Sequence, residues 1–168
     1  LGARALNETL PAALARLEPA ARPRVVHQCG AAHVEATRAA YRAVGVEAEV
    51  LPFIDDIAAR YAAADVVLCR AGAITVAELC AAGVPALLVP FVAETTRHQQ
   101  GNAEFLARHG AAIHLPQQEL TAERLAQELR SLTRERLAQM AERARALGKP
   151  QATRLVADAI EHLAEAAR

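Results

Sequence analysis

Five short apolar runs restrict the fold of this chain more than any other feature. They are Arg24–Gln28, Glu49–Leu51, Val66–Cys69, Ala86–Val89 and Ala112–Leu115. Each ends in a turn, and helical stretches lie between them. Runs of this length, separated by helices, read as buried strands of a parallel α/β sheet with helices on both faces. In such sheets ligands sit beyond the carboxyl ends of the strands. Those ends fall at Gln28-Cys29-Gly30, Pro52-Phe53-Ile54, Arg70–Thr75, Pro90–Arg97 and Leu115-Pro116.

The helical stretches have their own punctuation. Leu6, Leu10, Leu14 and Leu17 recur at helical spacing over about Ala5–Leu17, and Pro19 and Pro23 end the pattern. Further helices are expected from His33 to Ala43, from Asp55 or Asp56 as cap through Tyr61, and from Thr75 to Gly83. Another ends at Arg108, before Gly110. The remainder is helical over Ala122–Ser131, Arg134–Leu147 and Ala152–Ala167, with Thr121 and Thr133 at N-cap positions. The chain opens on a glycine turn and a helix, whereas an α/β domain begins with a strand. The expectation is that a first strand precedes Leu1 and that this is the later part of a longer protein.

Composition removes several classes of function. At 168 residues the chain is long enough for one domain with a real core. Aromatic residues make up only 3%, so Leu, Val and Ala must fill that core. Nineteen basic residues balance nineteen acidic ones, which leaves no broad electrostatic footprint for nucleic acid. Cys29, Cys69 and Cys80 lack the spacing of a disulfide framework or a zinc site. The apolar stretch Ala81–Ala93 is broken by Gly83, Pro85 and Pro90, and is shorter than the roughly 20 residues that span a bilayer.

Chemistry concentrates in Cys69-Arg70-Ala71-Gly72-Ala73-Ile74-Thr75-Val76-Ala77-Glu78. An apolar strand enters a turn without bulk, and a helix follows. The open N–H groups of a helix start carry roughly half a positive charge and suit a phosphate or diphosphate. Glu78 lies one turn in, where a carboxylate reaches a sugar hydroxyl. The same residues admit a purely structural reading, because Thr75-x-x-Glu78 also spells a capping box. No Asp-x-Asp occurs, so a dedicated Mg²⁺–diphosphate clamp is not evident and no metal or cofactor is expected.

Gly2-Ala3-Arg4-Ala5-Leu6-Asn7, Phe53-Ile54-Asp55-Asp56, the Cys69–Glu78 segment, Gly83-Val84-Pro85-Ala86 and His98-Gln99-Gln100-Gly101-Asn102-Ala103 occur in one order. In that order they resemble the C-terminal, donor-binding domain of the MurG family. These are bacterial transferases that move N-acetylglucosamine from UDP to lipid I, forming lipid II. The resemblance covers essentially the whole chain and implies a Rossmann-like GT-B C-terminal domain. Residues 1–150 would form an N-terminally truncated UDP-sugar domain, and 151–168 a helix packing back toward the acceptor domain. The family's G-G-S-x-G-A loop would survive only as Leu1-Gly2-Ala3.

The resemblance also assigns residues. Gly72, Ala73, Ile74 and Thr75 would hold the diphosphate, Glu78 the ribose, and Ile54 the uracil through its main chain. His98 and Gln99 would meet the sugar hydroxyls. Phe53 would either enclose the base or belong to the core. Asn102 would hold the loop, the favoured role, or touch the sugar. Arg70 would steer the diphosphate or pair with Asp55 or Asp56. His27, His33, His109, His114 and His162 show no metal-ligand spacing. No catalytic base is expected in this chain, since the family's proposed base lies on the acceptor domain. The isolated chain is accordingly expected to be inactive. The implied partners are UDP-N-acetylglucosamine and a lipid-linked muramoyl-pentapeptide, the latter met through the acceptor domain. The implied location is the cytoplasmic face of the bacterial inner membrane, as a peripheral protein. Other GT-B UDP-sugar transferases, or a non-catalytic nucleotide-sugar module, share part of this logic.

Overall fold

The computed structural model describes residues 4–91, 93 and 97–166. The Leu1-Gly2-Ala3 turn and most of the loop between Phe91 and Arg97 lie outside the described residues. The elements follow in the order α1 (Arg4–Leu14), β1 (Val26–Gln28), α2 (Val34–Ala43), β2 (Glu49–Leu51), α3 (Ile57–Ala63), β3 (Val67–Cys69), α4 (Ala73–Ala82), β4 (Ala86–Leu88), α5 (Arg97–Arg108), β5 (Ala112–His114), α6 (Ala122–Arg130), α7 (Arg134–Leu147) and α8 (Ala152–Ala166).

All strand pairing is parallel. β4 lies between β3 and β5, with Leu87 opposite Leu68 on one side and Ile113 on the other. Ala86, Leu87, Leu88 and Val89 have no exposed surface. Because side chains alternate across a strand, this run must be covered on both faces. The packing shows it. Leu87 and Val89 share a core with Leu14 of α1 and Leu125 of α6. Ala86 and Leu88 share the opposite core with Leu79 of α4, Leu106 of α5 and Ala144 of α7. Each fully buried leucine contributes about 1.5–3 kcal/mol.

β1 and β2 form a separate pair, His27 opposite Val50. Among the described residues β1 and β3 are not hydrogen-bonded to each other. The first core nevertheless runs under both sheets, joining Cys29 and Val50 to Leu87 and Leu115.

Helix ends largely follow their local chemistry. Thr121 accepts from the Arg124 N–H and Thr133 from the Arg136 N–H, so both are N-caps. Asp56, rather than Asp55, caps α3 by accepting from the Ala59 N–H at 3.0 Å. Gly83 (φ +70°) and Gly110 (φ +67°) close α4 and α5 in the left-handed conformation that glycine adopts without strain.

α4 departs from expectation. It begins at Ala73, two residues earlier than the Thr75 start, with Gly72 as N-cap and no side-chain cap. Thr75 is therefore the third helical residue. It does not occupy the N-cap position that a capping box requires.

α8 is exposed along its described length, and Leu155, Val156, Ile160 and Leu163 are each 59–73% exposed. No helix among the described residues is long and apolar enough to cross a membrane.

Candidate functional site

The turn Arg70-Ala71-Gly72 joins the end of β3 to α4. The first helical bond runs from the Val76 N–H to the Gly72 carbonyl at 2.9 Å. That leaves the N–H groups of Ala73, Ile74 and Thr75 outside the helical ladder, at the positive end of the helix dipole. Gly72 has φ −62°, which any residue adopts. A β-carbon there would lie 3.8 Å from Thr75 Oγ1, an ordinary contact. Neither conformation nor packing within the chain demands glycine at 72.

α5 fixes the turn. Asn102 Nδ2 donates to the buried Ala71 carbonyl at 2.9 Å. Arg70 Nη1 donates to the Val89 carbonyl at 2.9 Å, and its guanidinium lies 5.5 Å from the Phe91 ring centroid. Burial pushes the Arg70 pKa down from its ordinary value. Arg70 thus ties the end of β3 to the exit of β4. Asn102 has the loop-holding role expected of it.

Gln99 is half-buried, and its Oε1 accepts from the Phe91 N–H at 2.9 Å. This narrows the sequence expectation of an amide free to accept and donate, because its oxygen is already engaged. His98, one residue earlier on α5, is exposed.

Ile54 and Glu78 border the same end of the sheet. The Ile54 N–H donates to Gln28 Oε1 at 3.0 Å, which links the end of β1 to the loop after β2. Phe53 is 64% exposed, so it belongs to the surface and not to the core. Glu78 is exposed on α4, with Tyr61 Oη of α3 3.4 Å from its Oε2. Burial, with the Glu78 carboxylate as a second cause, pushes the Tyr61 phenol up to about 12.

Sequence reasoning placed Gln28 at a strand end without giving it a task, and it missed Tyr61. Contacts across 26 and 17 residues, respectively, create both roles. The His27 ring, expected to be ordinary, is the middle of a buried chain. Asn7 Nδ2 donates to the Cys29 carbonyl, so Asn7 Oδ1 accepts from His27 Nε2, and Tyr41 Oη donates to His27 Nδ1. This chain locks α1, β1 and α2 together beneath the strand ends.

A concavity of about 1010 Å³, lined by Arg24, Arg38, Arg42 and Glu49, lies at the opposite, N-terminal end of β1 and β2. It shares Tyr41 with the His27 chain but none of the residues of the α4 turn, Ile54, Tyr61, Glu78, His98, Gln99 or Asn102. Among the described residues no group of three or more His, Cys, Asp and Glu side chains is gathered as a metal would require.

Comparison with known proteins shows the family. The family model of the glycosyltransferase family 28 C-terminal domain matches residues 1–163. A relative from Methylibium petroleiphilum is 61% identical over 97% of this chain and 45% of its own length. It is named UDP-N-acetylglucosamine–N-acetylmuramyl-(pentapeptide) pyrophosphoryl-undecaprenol N-acetylglucosamine transferase. A relative of the same name from Azoarcus sp. is also 61% identical, over 98% of this chain and 46% of its own. The crystal structure of Acinetobacter baumannii MurG superposes with a TM-score of 0.87 at 46% identity, over 96% of this chain and 47% of that one. The chain spans about half the length of the relatives it matches. It belongs to glycosyltransferase family 28, as the C-terminal domain of that family.

Proposed function

We propose that this chain is the donor-binding half of an inverting glycosyltransferase. The reaction moves N-acetylglucosamine from UDP to a lipid-linked muramoyl-pentapeptide, converting lipid I to lipid II in peptidoglycan synthesis. The observation that carries this reading is the uncapped start of α4. Three open N–H groups follow a bare turn, and a carboxylate stands one turn further on.

As the sugar–phosphate bond breaks, the sugar carbon gains oxocarbenium character and the diphosphate gains negative charge. Fixed dipoles aimed at that charge lower the barrier. The N–H groups of Ala73, Ile74 and Thr75, with the Thr75 hydroxyl, take that part here. Glu78 accepts from the ribose hydroxyls, and the Ile54 main chain reads the uracil edge. Phe53 beside it supplies apolar surface for the base. His98 and the Gln99 amide nitrogen face the sugar hydroxyls. The base that activates the acceptor belongs to the acceptor half. The exposed apolar stripe of α8 supports residues 151–168 as a helix that packs toward that half. The protein would work at the cytoplasmic face of the inner membrane, peripherally, and meet the lipid acceptor through the other half.

The test is calorimetry with UDP and UDP-N-acetylglucosamine on the full-length protein, together with turnover of a lipid I analogue. Glu78→Ala is expected to weaken UDP by the equivalent of about 1.5–3 kcal/mol, the value of a hydrogen bond to a charged group. Binding of inorganic diphosphate should be unchanged. Equal losses for UDP and diphosphate would refute the ribose assignment.

A further inference from the structure

Glu78 has a difficult task for an exposed side chain. To accept from two neighbouring hydroxyls it must present its carboxylate in one orientation, and a free glutamate gives up rotamer freedom to do so. The only side chain whose hydrogen bond to Glu78 is recorded among the described residues comes from Tyr61. The Tyr61 ring is half-buried and packs against the core formed by Leu79, Leu88 and Ala71. Its position is therefore set by packing, whereas that of Glu78 is not. At 3.4 Å the pair is longer than a closed hydroxyl–carboxylate bond. For Tyr61 to orient the carboxylate, the pair has to tighten when a ribose engages it.

We propose that Tyr61 is a positioning residue for nucleoside recognition: its hydroxyl donates to Glu78 Oε2 and aims the carboxylate at the vicinal diol of a ribose. This rests on the reading of Glu78 as the ribose acceptor. The phenol keeps its proton throughout the neutral range, because its titration lies near 12. It is thus a permanent donor. It occupies one lone pair of Oε2, and the remaining acceptor capacity of the carboxylate stays open to two ligand hydroxyls.

The experiment is a comparison of UDP with 2′-deoxy-UDP, by calorimetry on the full-length protein and on three variants. The variants are Tyr61→Phe, Glu78→Ala and the double substitution. The wild-type protein should prefer UDP, and Glu78→Ala should abolish the preference. Tyr61→Phe should reduce the preference about three- to tenfold, as loss of one hydrogen bond does. On the Glu78→Ala background it should change nothing further. Thermal melting of each variant separates this from unfolding, since a merely structural tyrosine would lower the melting temperature without altering ribose selectivity. A wild-type protein indifferent to the 2′-hydroxyl, or an unchanged preference in Glu78→Ala, would overturn the reading of Glu78 itself. An unchanged preference in Tyr61→Phe, with Glu78→Ala behaving as expected, would overturn only the role of Tyr61.

Discussion

Asn102 and Ala71 are 31 residues apart, yet the amide of one donates to the main-chain carbonyl of the other at 2.9 Å. The carbonyl belongs to a fully buried residue in the turn that opens α4, and the amide comes from α5. The turn is consequently held from outside its own helix. Asn102→Leu removes the donor and leaves the carbonyl unsatisfied, at a cost of about 1–3 kcal/mol. Thermal melting should show a clear loss of stability, and UDP binding by the full-length protein should fall with it.

Gly72 is expected to separate stability from binding. Its backbone conformation suits any residue, and a β-carbon meets nothing closer than 3.8 Å. Gly72→Ala should leave the melting temperature within the roughly ±0.5 kcal/mol range of neutral surface changes. On the proposed reading UDP affinity should drop, because the added methyl would stand in the path of a diphosphate to the open N–H groups. Paired melting and calorimetry check both halves of this statement.

At the other end of α4 the opposite result is expected. Gly83 has φ +70°, and a β-carbon would lie 2.9 Å from Arg145 Nε. Arg145 Nη2 donates to the Ala82 carbonyl at 2.8 Å, so the arginine is not free to move aside without losing that bond. Gly83→Ala should destabilise by about 1–2 kcal/mol from the left-handed conformation alone. Chemical denaturation would measure it.

The buried His27 chain makes stability depend on pH. Burial lowers the His27 pKa from its ordinary 6.5. A lowered folded value means that the unfolded chain takes up the proton first. The contribution of neutral His27 is complete above about pH 6.5. It is lost as pH falls from there through the lowered folded value. Melting temperatures measured between pH 7.5 and 5 should fall, and His27→Gln should flatten that part of the profile.

The five strands, the caps at Thr121 and Thr133, and the glycine stops were all legible, because each is written in adjacent residues. The start of α4 was not. Gly72 gives no side-chain cap, so the nearest conventional capping residue, Thr75, drew the boundary two positions too late. The candidate site residues came from a likeness to a known family, which carries no information on contacts. The Phe91 N–H bond to the Gln99 oxygen, which leaves the amide nitrogen for a ligand, could not be read from sequence. Tyr61 carried no local signal, since its role comes from the packing of α3 on α4. Partners separated by 8 to 31 residues in sequence are set by tertiary geometry, which no window of neighbouring residues encodes.

Held by Asn102 through Ala71 at its start and by Arg145 through Ala82 at its finish, α4 is braced at both ends. Its ten residues form a rod whose positive pole, on the proposed reading, would face the departing diphosphate. Water would have to rotate toward new charge as the bond breaks, and that reorientation is a large part of an uncatalysed barrier. If the proposed site is correct, a braced helix would have finished turning before the substrate arrived, and the chemical step would begin with its solvent already in place.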